Sequence, residues 1–265
     1  MKFKKWISAT AASLLLATSL MSATPVAHAD EASTRTIAEE SIYDLLVDRF
    51  FNGSGTNDFD TNTQDPTKFA GGDFAGLQDK LKFIGEMGFT IASIGPIFAT
   101  EKYDGSMPTS YSTIERHFGT SEEFQSVIEA YKAKNVSIMV DFPLNNVSPN
   151  HEWAKDPAKK DWIASTNDGQ VQWDLTNKEV QEALIKSATD FVSTYDVGGL
   201  RLTNIAGADT EFINTVIKAL KDTKKSLYVI SNEESNANFD ASFSKASADI
   251  YRNIFKNVDM DSTKL

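Results

Sequence analysis

Hydrophobic positions along the chain follow two alternating periods from about residue 41 onward. Short runs rich in β-branched residues are separated by longer stretches in which apolar side chains recur every three or four positions. The first pattern is typical of buried strands and the second of amphipathic helices. The predicted strands cover 41–50, 90–98, 136–144, 199–205 and 227–231.

A helix is predicted after each of these strands. The first contains Leu77, Leu81 and Ile84, and the second follows a capping box formed by Thr120 and Glu123. The remaining three are predicted over 180–191, 212–220 and 243–255. Repeated βα units of this kind surround a parallel sheet. We therefore predict an α/β fold, a partial (β/α) TIM-type barrel with about five of the eight βα units of a closed barrel. An irregular excursion at about 145–177 is predicted as a short insertion after the third strand.

The N-terminal segment has the organisation of a secretory signal peptide. Three lysines precede an apolar stretch over 7–21, and Ala27-His28-Ala29 matches a small-residue cleavage site. The stretch is too short and too interrupted by Ser and Thr to span a bilayer. Residues 1–29 are thus predicted to be removed, which leaves a secreted domain over 30–265 with no membrane anchor.

Composition narrows the classes of partner and of chemistry. The chain carries 26 Lys and Arg against 37 Asp and Glu, a formal charge of −11, so sequence-blind binding to nucleic acid or anionic membrane is not expected. It contains no cysteine, which excludes disulfides, thiolate metal sites and cysteine nucleophiles. Neutral and cationic partners remain open.

Several collinear segments resemble the α-amylase family, glycoside hydrolase family 13. These are Ile42-Tyr43-Asp44-Leu45-Leu46-Val47-Asp48-Arg49-Phe50, Phe69 to Leu77, His117-Phe118-Gly119-Thr120, Val140 to Asn146 and Trp173 to Asn177. The resemblance implies an eight-stranded barrel that acts on α-linked glucans. Because only five units are found and the family's third carboxylate has no counterpart, we expect the barrel to be incomplete at its C-terminal end.

The resemblance also implies that the catalytic carboxylates are lost. The family places a nucleophilic Asp two residues after an Arg on strand four, where this chain has Arg201 followed by Thr203. A neutral hydroxyl has no charge to stabilise an oxocarbenium-like transition state. The acid/base position aligns with Asn232. A shift of one residue would supply Glu233, but strand alternation would turn that side chain to the opposite face unless a bulge intervenes.

The sugar-binding positions also depart from the family pattern. Its Tyr-His-Gly-Tyr segment corresponds here to Tyr103-Asp104-Gly105-Ser106, and Asn146 replaces the histidine that follows strand three. Tyr103 is a candidate for stacking on a sugar. Asp141 and Arg201 are candidate substrate-binding residues, although the alternative of a structural ion pair inside the barrel is favoured.

A calcium site is the best-preserved chemistry that the resemblance implies. The positions that match the family's N-terminal calcium loop are Asn52, Ser54, Asn57, Asp58, Gly71 and Asp73. Side-chain oxygens and the Gly71 carbonyl are hard ligands suited to Ca²⁺. Ser54 stands where an acid or amide is usual, so weaker affinity is expected. A polar turn without metal is the alternative.

Three functions remain open at this point. The favoured one is an exported, non-catalytic relative of the α-amylases that binds α-glucan, maltooligosaccharide or a protein partner, or that retains no activity at all. The second is an active hydrolase that uses displaced carboxylates such as Glu233 and Asp209. The third is an interaction module whose open sheet is completed by a protein partner.

Overall fold

A computed structural model describes residues 35–242. The predicted signal peptide and the helix predicted over 243–255 lie outside the described residues. In chain order the strands are β1 (Ile42–Asp44), β2 (Ile91–Ser93), β3 (Ser137–Pro143), β4 (Ile163–Asn167), β5 (Gln170–Trp173), β6 (Gly199–Thr203) and β7 (Tyr228–Ser231). The helices are α1 (Val47–Phe50), α2 (Phe74–Glu86), α3 (Ser121–Lys132), α4 (Glu152–Lys155), α5 (Lys178–Thr194) and α6 (Thr210–Thr223). Three 3₁₀ turns cover Ile37–Glu39, Gly55–Asn57 and Pro157–Trp162.

Five parallel strands form the main sheet in the order β1-β2-β3-β6-β7. The sheet curls as half of a barrel, which confirms the predicted partial (β/α) architecture. Its register aligns Asp141 with Arg201, and Arg201 with Ile230. Since side chains alternate along a strand, these three residues share one face.

The two faces of the sheet have different surroundings. The face packed against the helices belongs to the large core and includes Ala92, Ile138, Val140, Phe142, Leu200, Leu202 and Val229. On the opposite, concave face, Ile91, Met139 and Tyr228 form a smaller apolar cluster. Asp141 lies on that concave face because it is two residues beyond Met139, and Arg201 lies there because it pairs with Asp141 in the register. The concave face is therefore apolar at its amino end and charged further along the strands.

The four helix predictions that fall within residues 35–242 are confirmed, and the capping residues explain where these helices begin. Thr120 Oγ1 accepts the Glu123 N–H at 3.2 Å, while Glu123 Oε2 accepts the Thr120 N–H at 2.7 Å. Asp73 caps α2 by accepting the Gly76 N–H, and Asp209 caps α6 by accepting the Phe212 N–H.

Among the described residues, no helix has the length and apolar character that crossing a membrane requires.

The first two predicted strands were too long. The first ends at Asp44, because residues 47–50 turn into the short helix α1 and bring the buried Asp48 carboxylate to the Ala70 N–H at 2.9 Å. The second leaves the sheet after Ser93. Its continuation pairs instead with the 113–115 segment, where the Ala99 N–H bonds to the Thr113 carbonyl.

The excursion after β3 contains an antiparallel hairpin that the sequence analysis missed. Strands β4 and β5 are joined by Asp168 and Gly169, whose φ angles of 50° and 75° suit a tight two-residue turn. An isolated bridge from Val147 to Val171 ties the hairpin back to the segment after β3. Trp162 and Trp173 are buried in this region, where they pack into the hydrophobic core.

The outer edge of β7 is covered by the chain itself. Ile230 and Ala241 form a parallel bridge, and the Asp240 N–H bonds to the Val229 carbonyl at 2.9 Å. The Asp240 carboxylate also accepts the Val229 N–H at 2.7 Å and the Lys221 ammonium at 2.6 Å. A sixth parallel segment thus begins beside β7.

Candidate functional site

The carboxyl ends of the parallel strands bring the predicted catalytic and sugar-binding positions to one edge of the sheet. Asp141, Arg201 and Thr203 come from β3 and β6, and Asn232 follows β7 directly. Thr203 lies opposite Pro143 in the register. This is the edge at which barrels of this architecture carry their active sites.

A bidentate ion pair lies at the centre of the concave face. Arg201 donates from Nε to Asp141 Oδ1 at 2.6 Å and from Nη2 to Asp141 Oδ2 at 2.9 Å. A third contact joins Arg201 Nη1 to Asp44 Oδ2 at 3.2 Å. Burial raises the pKa of the Asp141 carboxyl, and the Arg201 hydrogen bonds oppose that rise. The pair is ionised because a guanidinium keeps its proton and donates both parallel bonds.

Arg201 is held as a cation by its partners. Burial alone would lower the pKa of the guanidinium, but the hydrogen bonds and charges of Asp141 and Asp44 outweigh burial and raise it. The two predicted substrate-binding residues, Asp141 and Arg201, are thus brought together, and both carboxylate oxygens of Asp141 accept from Arg201.

Neutral side chains occupy both positions that the sequence analysis aligned with the family's catalytic carboxylates. Thr203 ends β6 and is half-buried, while Asn232 is exposed. Glu233, the displaced candidate, is half-buried and accepts the Ile205 N–H at 3.1 Å through Oε1. Its carboxylate therefore supports the loop after β6.

A cavity of 620 Å³ lies beside these positions, between the loop after β6 and the loop after β7. Its lining residues are Ile205, Ala206, Gly207, Ala208, Thr210, Ile213, Asn232, Glu233, Glu234, Ser235 and Asn236. The lining combines small apolar side chains with amides, hydroxyls and two carboxylates, and it contains no basic residue. Such a surface suits a neutral polar ligand and disfavours an anionic one.

Tyr103, the predicted stacking residue, has one ring face covered. The Arg49 guanidinium lies 3.8 Å from the ring centroid. Arg49 is itself fixed by donating to the carbonyls of Pro66 and Lys68, both at 2.8 Å. The ring face that Arg49 covers is therefore closed to a sugar.

The predicted calcium loop brings part of its ligand set together. Asn52 Nδ2 lies 2.9 and 2.8 Å from the two Asp58 carboxylate oxygens. Gly71 adopts φ of 91°, and a Cβ at this position would clash with the same Asn52 and Asp58 side-chain ends. Asn52, Asp58 and Gly71 therefore converge.

Asn57 supplies the observation that favours a cation here. Its Nδ2 donates to the His117 carbonyl at 2.7 Å, whereas its buried Oδ1 has no hydrogen-bond partner within the described part of the chain. An unpaired buried acceptor is costly, and a hard cation would satisfy it. The residues fit calcium in this respect.

The remaining two predicted ligands are engaged elsewhere. Asp73 accepts the N–H groups of Gly53, Ser54 and Gly76, and Ser54 Oγ lies 2.8 Å from Thr56 Oγ1. Across residues 35–242, no group of three or more His, Cys, Asp or Glu side chains is arranged to hold a metal. A metal in this loop would therefore depend on amide and carbonyl oxygens beside the carboxylates.

The two histidines of the described region are structural. His117 is buried, stacks on Phe69 and bonds to Glu115 Oε1 at 2.6 Å and Asp60 Oδ1 at 2.7 Å. His151 is fully buried, and its Nδ1 accepts the Trp153 N–H at 3.1 Å. Burial lowers the pKa of His151 to about 4.

Sequence reasoning missed Asp44 and the cavity-lining loop 205–210. Asp44 ends the first predicted strand, and a carboxylate at the carboxyl end of a barrel strand is a signal that could have identified it. No comparable sequence signal identifies Ala206, Gly207 and Ala208. They contribute to the cavity only by having small side chains or none.

Comparison with known proteins agrees with this geometry. Residues 44–171 match the family model described as "Alpha amylase, catalytic domain". The chain is 32% identical over 161 residues to the "Beta/alpha-amylase" of Paenibacillus polymyxa, covering 54% of this chain and 14% of the relative. It is 28% identical over 219 residues to the "Intracellular maltogenic amylase" of Bacillus subtilis (strain 168), covering 71% of this chain and 37% of the relative.

Solved structures show the same fold. An Anoxybacillus α-amylase superposes with a TM-score of 0.79 at 30% identity, covering 85% of this chain and 56% of that one. The α-amylase of Geobacillus thermoleovorans in complex with acarbose gives 0.69 at 30% identity, covering 76% and 48%. The chain thus spans about half the length of these solved relatives, and less of the curated ones.

Proposed function

The chain is a relative of the α-amylase-type glycoside hydrolases, and we propose that it binds α-glucan or maltooligosaccharide without hydrolysing it. The observation that carries the proposal is the pairing of a 620 Å³ cavity at the carboxyl edge with neutral residues, Thr203 and Asn232, at the two catalytic positions. Binding needs the cavity, whereas hydrolysis needs two carboxylates about 5 Å apart.

The loss of catalysis follows from charge and geometry. A retaining hydrolase needs one carboxylate to attack the anomeric carbon and a second to protonate the leaving oxygen. Thr203 is neutral at every working pH, and its hydroxyl would need a strong neighbouring base to attack. Glu233 is bonded to the Ile205 amide, which favours a role in holding the loop rather than in transferring a proton.

The ligand class follows from the lining and from the relatives. The similar proteins include a maltogenic amylase, and one solved relative is in complex with acarbose. Two carboxylates and no cation line the cavity, so neutral oligosaccharides are preferred over phosphorylated ones.

Calorimetric titration with maltoheptaose tests binding at this cavity. Ala206→Trp fills the cavity from an exposed position, and we expect it to abolish the binding that the unmodified protein shows. Ala133→Trp, at the exposed end of α3 on the amino side of the sheet, is the matched control and should bind as the unmodified protein does. Equal affinity in both variants would place the glucan elsewhere and contradict the proposal.

We also propose that the loop over Asn52–Asp73 holds a structural calcium ion. Asn52, Asn57, Asp58 and the Gly71 carbonyl would hold it, and the unpaired Asn57 Oδ1 supports this assignment. Bound calcium would tie the loop after α1 to the start of α2. Because Asp58 is the one carboxylate among these ligands, we expect modest affinity and stabilisation that chelator removes.

Export is the third part of the proposal. Mass spectrometry of protein recovered from a secreting host should find a mature chain that begins at Asp30. Recovery of the intact N-terminus inside the cell would contradict export.

A further inference from the structure

Arg201 has more than one counter-ion on the concave face. Its side chain is 17% exposed, and Asp141 takes Nε and Nη2 from one side. The remaining nitrogen, Nη1, points to Asp44 at 3.2 Å. Asp44 ends β1, whereas Arg201 lies on β6, and two strands stand between them in the sheet. The contact therefore spans the concave face and joins the first strand to the fourth.

Position 203 lies beside the same guanidinium. Thr203 is two residues beyond Arg201 on β6, so it shares the concave face and lies about 7 Å further along the strand. A carboxylate at that distance is within reach of a long guanidinium side chain. Thr203 supplies no charge there. The carboxylate that contacts Nη1 is instead Asp44.

We propose that Asp44 is a positioning residue that acts as the second counter-ion of Arg201, the role that a carboxylate at position 203 would otherwise fill. Positions 44 and 203 are then energetically coupled through Arg201, although they lie on different strands. The pair of carboxylates keeps the guanidinium extended across the concave face. This role is independent of glucan binding, because it concerns the folded protein alone.

A double-mutant cycle tests the coupling. The four proteins are the unmodified chain, Asp44→Asn, Thr203→Asp and the double variant, compared by thermal and urea unfolding at low salt. Asp44→Asn should lower Tm by about 1–3 °C, as expected for a partly exposed ion pair in a chain of this size. Thr203→Asp in that background should restore Tm, because a new carboxylate replaces the lost one. In the unmodified chain it should bring no gain, because it adds a third acid to the cluster.

The control separates specific rescue from a general effect of charge. Asp79→Asn removes an exposed carboxylate from α2 and should show strictly additive effects with Thr203→Asp. Additive effects at positions 44 and 203 as well would overturn the inference. So would rescue that persists unchanged when Arg201 is replaced by Met in all four proteins. Because the readout is unfolding without ligand, failure of the coupling leaves the glucan-binding proposal untouched, and the reverse also holds.

Discussion

Arg201 and Asp141 keep a buried charged pair at the centre of the concave face, while the neighbouring positions that would carry out chemistry hold Thr203 and Asn232. At the residue scale the site thus keeps an ordered ion pair, with neutral side chains at the two positions that the sequence analysis aligned with catalytic carboxylates. The sequence could predict Asp141, Arg201, Thr203 and Asn232 because motif spacing fixes their strands. It could not predict the contact with Asp44, since the curl of the sheet brings β1 and β6 together.

His151 should make stability depend on pH. It is buried among Tyr111, Trp153 and Trp173, and its Nε2 has no partner within the described residues. Its folded pKa is about 4, below the unfolded value of about 6.5. As pH falls through 6.5, His151 therefore becomes protonated in the unfolded chain but stays neutral in the folded chain. We expect this group to make the protein about 2 kcal/mol less stable at pH 5 than at pH 7.

The variant His151→Asn isolates that contribution. Its side-chain oxygen can still accept the Trp153 N–H, but the side chain does not titrate. Urea unfolding at both pH values should show a smaller loss of stability in the variant than in the unmodified chain. Equal losses would show that His151 accepts a proton in the folded state as easily as in the unfolded one.

Gly71 and Gly88 offer a matched pair for the calcium proposal. Both have positive φ, 91° and 81°, so alanine strains the backbone at each. Only at Gly71 would the new Cβ displace Asn52 and Asp58, since nothing lies within 4 Å of a Cβ at Gly88. We expect calcium to raise the Tm of the unmodified protein and of Gly88→Ala but not that of Gly71→Ala. A calcium response retained in Gly71→Ala would contradict the proposed ligand set.

At the element scale, the sequence predicts where a helix begins wherever it contains capping residues. The start of α3 was predictable from Thr120 and Glu123, which form both expected hydrogen bonds. The hairpin of β4 and β5 was also within reach, because Asp168-Gly169 is a strong turn signal between alternating residues. The ends of β1 and β2 were not, because distant partners end them: Ala70 bonds to Asp48, and Thr113 bonds to Ala99.

The capping box gives a prediction at this scale. Thr120→Ala leaves the first-turn N–H groups of α3 without a side-chain acceptor and should lower the free energy of unfolding by about 1 kcal/mol. Ser126→Ala removes only a hydroxyl that bonds back to the Glu122 carbonyl in mid-helix and should leave stability almost unchanged. Chemical unfolding of both variants measures the difference. Equal stability of the two would mean that tertiary contacts alone hold the start of α3.

At the scale of the whole molecule, the βα alternation predicted the parallel half-barrel, but not how its outer edge is covered. Residues 239–241 run beside β7, and Asp240 closes that edge through Val229 and Lys221. This cover comes from a segment without hydrophobic periodicity, so no sequence pattern marked it.

Completion of the sheet by a protein partner stays a prediction. Size-exclusion chromatography with light scattering checks it, and a monodisperse monomer that unfolds cooperatively would make a partner unnecessary.

The most direct test of the central claim measures binding and hydrolysis of one substrate by one preparation. Maltoheptaose is titrated calorimetrically into the full chain with calcium, and the recovered mixture is then assayed for new reducing ends. We expect saturable binding, sensitive to Ala206→Trp, with no release of reducing ends above the blank. Release of reducing ends that disappears in Glu233→Gln would contradict the claim, because it would show that a carboxylate outside the two aligned positions takes part in catalysis.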